Sequence, residues 1–295
     1  MAGPSTLPRI LLGLELKALR EGTDIRMDDA ATLSGISKPT LWRIESGNSE
    51  VRLNPVLIGA LCKVYEATPE QTKAILKLIN EAASDEKGWW HGFSDAIPKE
   101  FNLFVRLEDA AQKLISYQTT FIPGQLQTLE YRRALSWIEF PNRPSREIER
   151  MLQVGMKRQA RITRNENALR LEVVIDEAVL RRSNGGNAVM EGQLKHLAAM
   201  AELPNVSLRV VPRTADIYQG LLAGTFVLFE FPPRAKADLT CPPIVYVQGF
   251  TGGLYLKEPE KVSQYRQACA ALDRQALEEG DSRRLVLEIV KEYAE

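Results

Sequence analysis

Lys38, Thr40 and Arg43 lie close together in the stretch from Met27 to Gly47, MDDAATLSGISKPTLWRIESG. An amine, a hydroxyl and a guanidinium are hydrogen-bond donors of the kind that contact base edges and phosphates in the major groove of DNA. Arg43 suits a bidentate contact with guanine, which is worth roughly 1–3 kcal/mol of discrimination between bases. The chemistry that these residues indicate is therefore recognition of DNA sequence.

Two helices joined by a tight turn would position these donors. Ala31 provides a small side chain four residues before Gly35, and Gly35 permits the left-handed backbone of a sharp turn. Ser37 is the expected N-cap, and Pro39 suits the first helical turn because that turn needs no amide donor. We therefore predict a recognition helix over residues 37–46.

The predicted recognition helix has an apolar side and a polar side. Leu41 and Ile44 are three residues apart, so they share one side and are expected to pack on Ala31. An ordinary helical hairpin is the alternative interpretation of this pattern. The residues expected to contact DNA are Lys38, Thr40 and Arg43 on bases, Arg26, Asn48 and Arg52 on phosphates, and Ser37 at the start of the helix.

A wider set of positions carries a resemblance to a known family: Leu12, Leu16, Leu19, Arg20, Ala31, Gly35, Ser37, Leu41, Ile44, Glu45 and Gly47. Together they resemble the signature of the xenobiotic-response-element (Cro and phage-repressor-like) helix-turn-helix family. The resemblance implies an ion pair between Arg20 and Glu45 that ties the first helix to the end of the recognition helix. The chain departs from the family at Arg26 and Met27, where Ser or Thr followed by Gln is usual, so the second helix lacks its usual cap.

Length and composition indicate an ordinary globular protein. The 295 residues are enough for about two domains, and 44% of them are hydrophobic. Cys62, Cys241 and Cys269 lack CxxC spacing, so we expect no disulfide framework, no metal site, no cofactor and a cytoplasmic location. No stretch approaches ~20 apolar residues, so no membrane span is expected. The apolar run Ile10–Leu14 is interrupted by Glu15 and Lys17 and no cleavage pattern follows it, so no signal peptide is expected either.

Charge gives little support to indiscriminate binding of polyanions. The formal net charge is zero, and residues 1–84 contain ten Lys or Arg and ten Asp or Glu. With so few cations near the recognition helix, one chain is expected to bind DNA with modest affinity. We therefore expect a homodimer on the paired half-sites of a double-stranded operator.

Periodicity predicts a multidomain chain with a boundary after residue 84. Residues 1–84 are expected to form an all-α, five-helix helix-turn-helix domain, and residues 85–295 a mixed α+β effector and dimerisation domain with a strand-rich centre and C-terminal helices. The helix Ala188–Leu203 between two strands predicts a crossover unit. The predicted strands are Leu114–Ile122, Leu169–Leu180, Val206–Val211, Gly224–Phe231 and Ile244–Phe250, after which Gly252 and Gly253 are expected to turn the chain into Leu254–Leu256.

The second domain carries a resemblance of its own. The segments GWWHGFSDAIP, FVRLEDAAQKLISYQTTFIPGQLQT and IVYVQGFTGGLYLKEPEKVSQYR resemble the C-terminal domain of actinobacterial antitoxin-like or developmental regulators. In those regulators the same helix-turn-helix precedes the same companion domain, so the resemblance covers nearly the whole chain. It implies a DNA-binding regulator with a possible small partner protein encoded nearby.

Three functions follow from these observations. The first is a transcriptional regulator whose second domain dimerises and senses a ligand or a small protein. The second is an antitoxin-like protein that mainly neutralises a small partner and autoregulates its own operon. The third, an enzyme with a DNA-binding head, is disfavoured because the chain has only His91 and His196, no GxSxG elbow, and a Gly249–Gly253 segment that lacks P-loop spacing.

Two further features have alternative interpretations. Residues 143–164 contain seven Lys or Arg against two acids, and we expect a solvated helix face there, the alternative being a site for phosphates or an acidic partner. The segment Gly88–Phe93, GWWHGF, is expected to be an aromatic cluster at the domain junction, the alternative being a platform on which a ligand stacks.

Overall fold

The structure is a computed structural model that describes residues 7–47, 51–84, 93, 96–97, 99–216, 218–232, 241–250 and 252–294. These residues belong to two compact units, the first within Met1–Gly92 and the second within Phe93–Arg234 and Thr240–Glu295. None of the helices in these ranges is long and apolar enough to cross a membrane. The predicted boundary after residue 84 and most of the GWWHGF segment adjoin or lie in residues 85–92, outside the described residues.

All regular secondary structure in the described residues of the first unit, 7–47 and 51–84, is helical, which confirms the predicted class of this region. Local caps explain where two of its helices begin: Asn54 Oδ1 accepts a hydrogen bond from the Val56 amide at 2.9 Å, and Thr68 and Gln71 form a reciprocal capping box. The helices are α1 Leu7–Gly22, α2 Met27–Leu33, α3 Lys38–Glu45, α4 Pro55–Val64 and α5 Pro69–Ser84.

Helix α1 packs closely against the end of α3. Leu12 and Leu16 of α1 are completely buried. A Cβ added to Gly13 would lie 2.6 Å from the backbone oxygens of both Ile44 and Glu45, which is too close for any side chain. The absence of a side chain at Gly13 therefore allows α1 to cross the C-terminal turn of α3.

The second unit is built on a six-stranded mixed sheet. The strand order is β3-β2-β1-β4-β5-β6, with β1, β2 and β3 parallel to one another and β4, β5 and β6 joined antiparallel. These pairings confirm the predicted α+β domain with a strand-rich centre. The strands are β1 Lys113–Gln118, β2 Arg170–Asp176, β3 Val206–Val211, β4 Phe226–Glu230, β5 Ile244–Gly249 and β6 Gly252–Leu256.

Helices flank this sheet and include two at the C-terminal end. Helix α10 connects the parallel neighbours β2 and β3, so the predicted crossover unit is confirmed. The helices are α6 Lys99–Ala110, α7 Leu129–Glu139, α8 Ser145–Gln159, α9 Glu177–Arg181, α10 Asn187–Met200, α11 Gln219–Ala223, α12 Pro259–Gln275 and α13 Glu279–Ala294.

One face of the sheet packs on α12. Tyr117, Phe226 and Leu228 from the strands form a buried cluster with Val262 and Leu272 from this helix. Tyr117 also shares a hydrogen bond of 2.6 Å with the hydroxyl of Tyr218, which satisfies both buried phenols.

Several predicted boundaries were wrong, each for a local reason. The strand expected to reach Leu180 ends at Asp176, whose carboxylate accepts a hydrogen bond from the Ala178 amide and begins α9. The strand expected to reach Ile122 ends at Gln118. The next amide, that of Thr119, donates a hydrogen bond to the Thr225 hydroxyl instead of to the backbone of a neighbouring strand. Helix α11 was not predicted.

Candidate nucleic-acid interface

The turn between α2 and α3 has the geometry that the sequence predicts. Gly35 has a φ of +66°, the left-handed conformation that glycine adopts most readily. The Ile36 amide donates to the Ala31 carbonyl at 3.0 Å, and the Gly35 amide donates to the Thr32 carbonyl at 3.1 Å. These two bonds close the end of α2 in a Schellman-type motif and turn the chain into α3.

Ser37 caps α3. Its hydroxyl accepts a hydrogen bond from the Thr40 amide at 3.3 Å, and the two hydroxyl oxygens of Ser37 and Thr40 are 2.8 Å apart. Pro39 occupies the first turn, where no amide donor is needed. The hydroxyls of Ser37 and Thr40 therefore already contribute to fixing the start of the helix.

Helix α3 has a buried side and an exposed side. Leu41, Ile44 and Glu45 are buried, whereas Lys38 and Trp42 are exposed, with 56% of Trp42 accessible to solvent. Thr40 and Arg43, which we expected to point outward with Lys38, are only partly exposed. The most accessible donor on this helix is the Lys38 amine.

The Lys38 amine lies 3.0 Å from a carboxylate oxygen of Asp28 in the first turn of α2. Both side chains are more than half exposed, and such pairs contribute only about 0–1 kcal/mol. The pair with Asp28 is therefore weak and leaves the Lys38 amine available to another acceptor.

The cations expected to contact phosphates lie on the segments that flank the two helices. Arg26 is exposed at the N-cap position of α2, and its side chain makes no capping hydrogen bond, as the departure from the family pattern implies. Arg52 is exposed in the segment that precedes α4. Asn48 lies outside the described residues.

A buried ionic network fixes the end of α3. Arg20 Nε and Nη2 donate to the Glu45 carboxylate at distances of 2.9–3.2 Å, and the Tyr65 hydroxyl donates to Glu45 Oε1 at 3.0 Å. Burial, together with the neighbouring Glu45 carboxylate, raises the pKa of Tyr65 far above its usual range, so this phenol stays a donor. The network joins α1, α3 and the end of α4.

Two residues of this site were not predicted. Trp42 lies four residues after Lys38 and thus on the same side of α3, a relation that a helical projection of the sequence would have indicated. Gly13 lies inside a leucine-rich helix, and nothing local marks it as the point where α1 approaches α3. That contact exists only in the folded unit.

Two family models match the chain. Residues 101–288, which are more than half of the chain, match a model described as a domain of unknown function (DUF5753). The chain belongs to the DUF5753 family. Residues 11–75 match a model described as a helix-turn-helix domain, so this DUF5753 protein is a helix-turn-helix protein of the DNA-binding regulator type. No curated protein and no solved structure matches the chain.

The titratable groups of the DUF5753 domain mostly serve its fold. Glu108 is buried and accepts hydrogen bonds from Arg158 Nε and Nη2 at 2.9 and 2.7 Å. His196 is half-buried in α10, where burial lowers its pKa. Within the described residues, no group of three or more His, Cys, Asp or Glu side chains is arranged to hold a metal ion.

The seven cations between residues 143 and 164 differ in exposure, and Arg143 and Arg150 are partly exposed. Arg146, Lys157 and Arg164 are exposed, as expected for a solvated helix face. Arg158 and Arg161 are buried, so the expectation was wrong for them. Arg161 donates to the backbone oxygens of Glu108 and Ala111, which ties the segment after α8 to the end of α6.

Proposed function

We propose that this DUF5753 protein is a sequence-specific transcriptional regulator of the xenobiotic-response-element type. Helix α3 enters the major groove of a double-stranded operator, and a homodimer presents two such helices to paired half-sites. The DUF5753 domain dimerises and senses an effector, which shifts the population of the geometry that binds DNA. The observation that carries this proposal is the exposed side of α3 around Lys38, opposite a buried side of Leu41 and Ile44.

In this proposal the residues of α3 have different roles. Lys38, Thr40 and Arg43 contact bases, and Ser37 keeps the start of the helix rigid while it approaches the DNA. Trp42 adds apolar contact with a thymine methyl group or a sugar. Arg26, Asn48 and Arg52 hold phosphates and thereby set the register of the helix on the duplex.

Selection of bound DNA from a random pool by the full chain tests this proposal. We expect an enriched sequence with two related half-sites. Arg43→Ala is expected to relax selection at one position of each half-site, with a loss of roughly 1–3 kcal/mol on the best sequence. Arg52→Ala is expected to weaken binding to all sequences alike and to reduce the salt dependence by about one phosphate contact.

Arg170→Ala is the matched control, because Arg170 is an exposed arginine of the sheet and has no role in the proposed interface. It is expected to leave both selection and affinity unchanged. The proposed recognition of bases by α3 would be excluded by a pool that shows no enrichment. It would also be excluded by an Arg43→Ala variant that selects and binds the same sequence equally well.

A second candidate function is neutralisation of a small partner protein, with DNA binding reserved for autoregulation. In this alternative the partner contacts exposed apolar side chains of the DUF5753 domain, of which Ile138 is 72% and Leu222 is 88% accessible. If neutralisation is the main function, deletion of the gene is expected to be toxic only while the partner gene is present. The Arg43→Ala variant would then still protect the cell. If the protein is mainly a regulator, the same substitution is expected to abolish its effect on gene expression.

We propose further that the chain is not an enzyme. The buried Glu108 is held by Arg158, and His196 is half-buried within α10. A general base must contact the substrate itself, and Glu108 is already engaged by Arg158. An α3 variant that no longer binds the operator is expected to lose the whole effect of the protein on gene expression. An effect that persists without DNA binding would count against this proposal.

A further inference from the structure

A cavity of about 580 Å³ opens on the sheet of the DUF5753 domain. It lies on the face that packs against α12, at the end of the sheet formed by β1, β2 and β3. Ile115, Val174 and Leu272 supply apolar surface to it, and Ser207 and Arg209 supply polar surface. Its size falls within the range of roughly 300–1,000 Å³ found for small-molecule sites.

The strand register explains why the face stays open here. Tyr117 pairs in register with Val174 and then with Arg209, so all three side chains point to the same face. Helix α12 covers this face where it carries apolar residues such as Tyr117. On β3 the same face carries Ser207 and Arg209, whose side chains are polar and only partly buried.

The rim of the cavity is fixed without a ligand. Arg209 donates to the backbone oxygens of Asp273, Ala276 and Leu277 at 2.8–2.9 Å. These bonds hold the segment between α12 and α13 against the edge of the sheet. A preformed rim lowers the entropic cost of binding.

The charges around the cavity are unevenly distributed. At the β3 end, Arg209 lies 3.2 Å from Asp273 and 3.4 Å from Glu278. The Glu279 carboxylate accepts a hydrogen bond from the uncharged Ser207 hydroxyl, so three carboxylates line this end of the cavity together with one guanidinium, that of Arg209.

The other charges near the cavity are balanced. At the β1 end, the Glu172 carboxylate lies 2.7 Å from Lys113 and 3.6 Å from Arg170. Arg266 of α12 pairs with Glu230 at 2.6 Å. The excess of negative charge is therefore confined to the β3 end, beside apolar surface.

We propose that this cavity binds a small organic cation, with its amine at Asp273 and Glu279 and its apolar body on Ile115, Val174 and Leu272. The inference rests on the proposed function only for its regulatory consequence, in which the cation is the effector of the DUF5753 domain. Binding itself needs no DNA and is measured without it.

Calorimetry with three compounds of one shape and different charge tests the chemical class. The full chain is titrated with 4-phenylbutylamine, 4-phenylbutanol and 4-phenylbutyrate. Saturable binding of the amine, weaker binding of the alcohol and no binding of the carboxylate are expected. Equal binding of all three, binding of the carboxylate alone or no binding would overturn the proposal.

A pair of variants tests the position of the amine. Glu279→Gln is expected to weaken binding of 4-phenylbutylamine by about tenfold, because it removes a charged acceptor. Glu288→Gln is the matched control on the same helix, and its side chain is exposed away from the cavity lining. Equal affinities of the two variants would place the amine elsewhere and overturn the assignment.

Cys269 provides an independent readout, because it lines the cavity and is partly exposed while Cys62 and Cys241 are buried. Labelling of the full chain with 2-aminoethyl and 2-sulfonatoethyl methanethiosulfonate, followed by mass spectrometry of each site, compares a cation with an anion of similar size. We expect faster labelling by the cation and protection of Cys269 by 4-phenylbutylamine. Equal rates, or amine binding without protection, would overturn the site.

These measurements separate the inference from the proposed function. If the cavity takes no cation, selection of operator DNA by α3 remains as proposed. If α3 selects no DNA, binding of 4-phenylbutylamine and protection of Cys269 are still expected, and only the regulatory consequence is lost.

Discussion

Removal of the Glu45 side chain tests the ionic network at the end of α3. In Glu45→Ala, the buried Arg20 guanidinium loses three donor contacts of 2.9–3.2 Å, and the buried Tyr65 hydroxyl loses its 3.0 Å acceptor. Loss of one partner from a buried ion pair costs about 3–5 kcal/mol, because the remaining charge stays buried without compensation. Total domain stabilities are roughly 5–15 kcal/mol, so local opening of α3 would become frequent.

The matched control removes a second carboxylate from the same arginine. Glu21 lies 3.9 Å from Arg20, but 51% of its side chain is exposed, so the Glu21→Ala variant is expected to lose at most about 1 kcal/mol. Hydrogen–deuterium exchange of α3 amides in the full chain measures the free energy of local opening in both variants. Equal changes in exchange would show that the buried position of Glu45 does not matter and would refute this reasoning.

The remaining predictions concern backbone contact, DNA contact and pH. Gly13→Ala is expected to destabilise the first unit by roughly 1–3 kcal/mol in urea unfolding because its Cβ would overlap α3, whereas Gly59→Ala, with open space around it, is expected to stabilise by about 0.5–1 kcal/mol. Trp42→Ala is expected to keep the melting temperature but weaken operator binding in a titration, and unchanged affinity would exclude Trp42 from the interface. Burial opposes ionisation of Glu177, but hydrogen bonds from the Arg213 amide and from Arg181 lower its pKa below the ordinary 4.5. Its stabilisation is therefore present above pH 4.5 and lost as the pH falls through the lowered value, and Glu177→Gln should flatten acid unfolding curves in that range.

The helix-turn-helix region was predictable because its signals are local. Gly35, Ser37 and Asn54 each act on backbone within three residues of themselves, so their spacing is enough to indicate a turn or the start of a helix. The contact of Gly13 with the end of α3 spans more than 30 residues and has no local signal. Trp42 differs, because its spacing of four residues from Lys38 is a local signal that places both on the same side of α3.

The sheet was predictable in content but not in arrangement. Hydrophobic alternation or a high content of β-branched and aromatic residues indicated β1 to β5, and β3 begins and ends at the predicted residues. It gave no information on order, because β1 pairs with β2 on one side and with the distant β4 on the other. The ends of β1 and β2 depend on side-chain hydrogen bonds, which a pattern of alternation does not contain.

The basic helix α8 shows why charge counts mislead. Arg158 and Lys157 are adjacent cations in the sequence, yet Arg158 is buried and Lys157 is exposed. The difference lies in α6, which supplies Glu108 as a bidentate acceptor and the rings of Phe101 and Phe104 within 5.4 Å of the guanidinium. A guanidinium held in this way is not available to an outside phosphate. A long-range partner, rather than local charge density, therefore decides which cations of this helix are available to an outside anion.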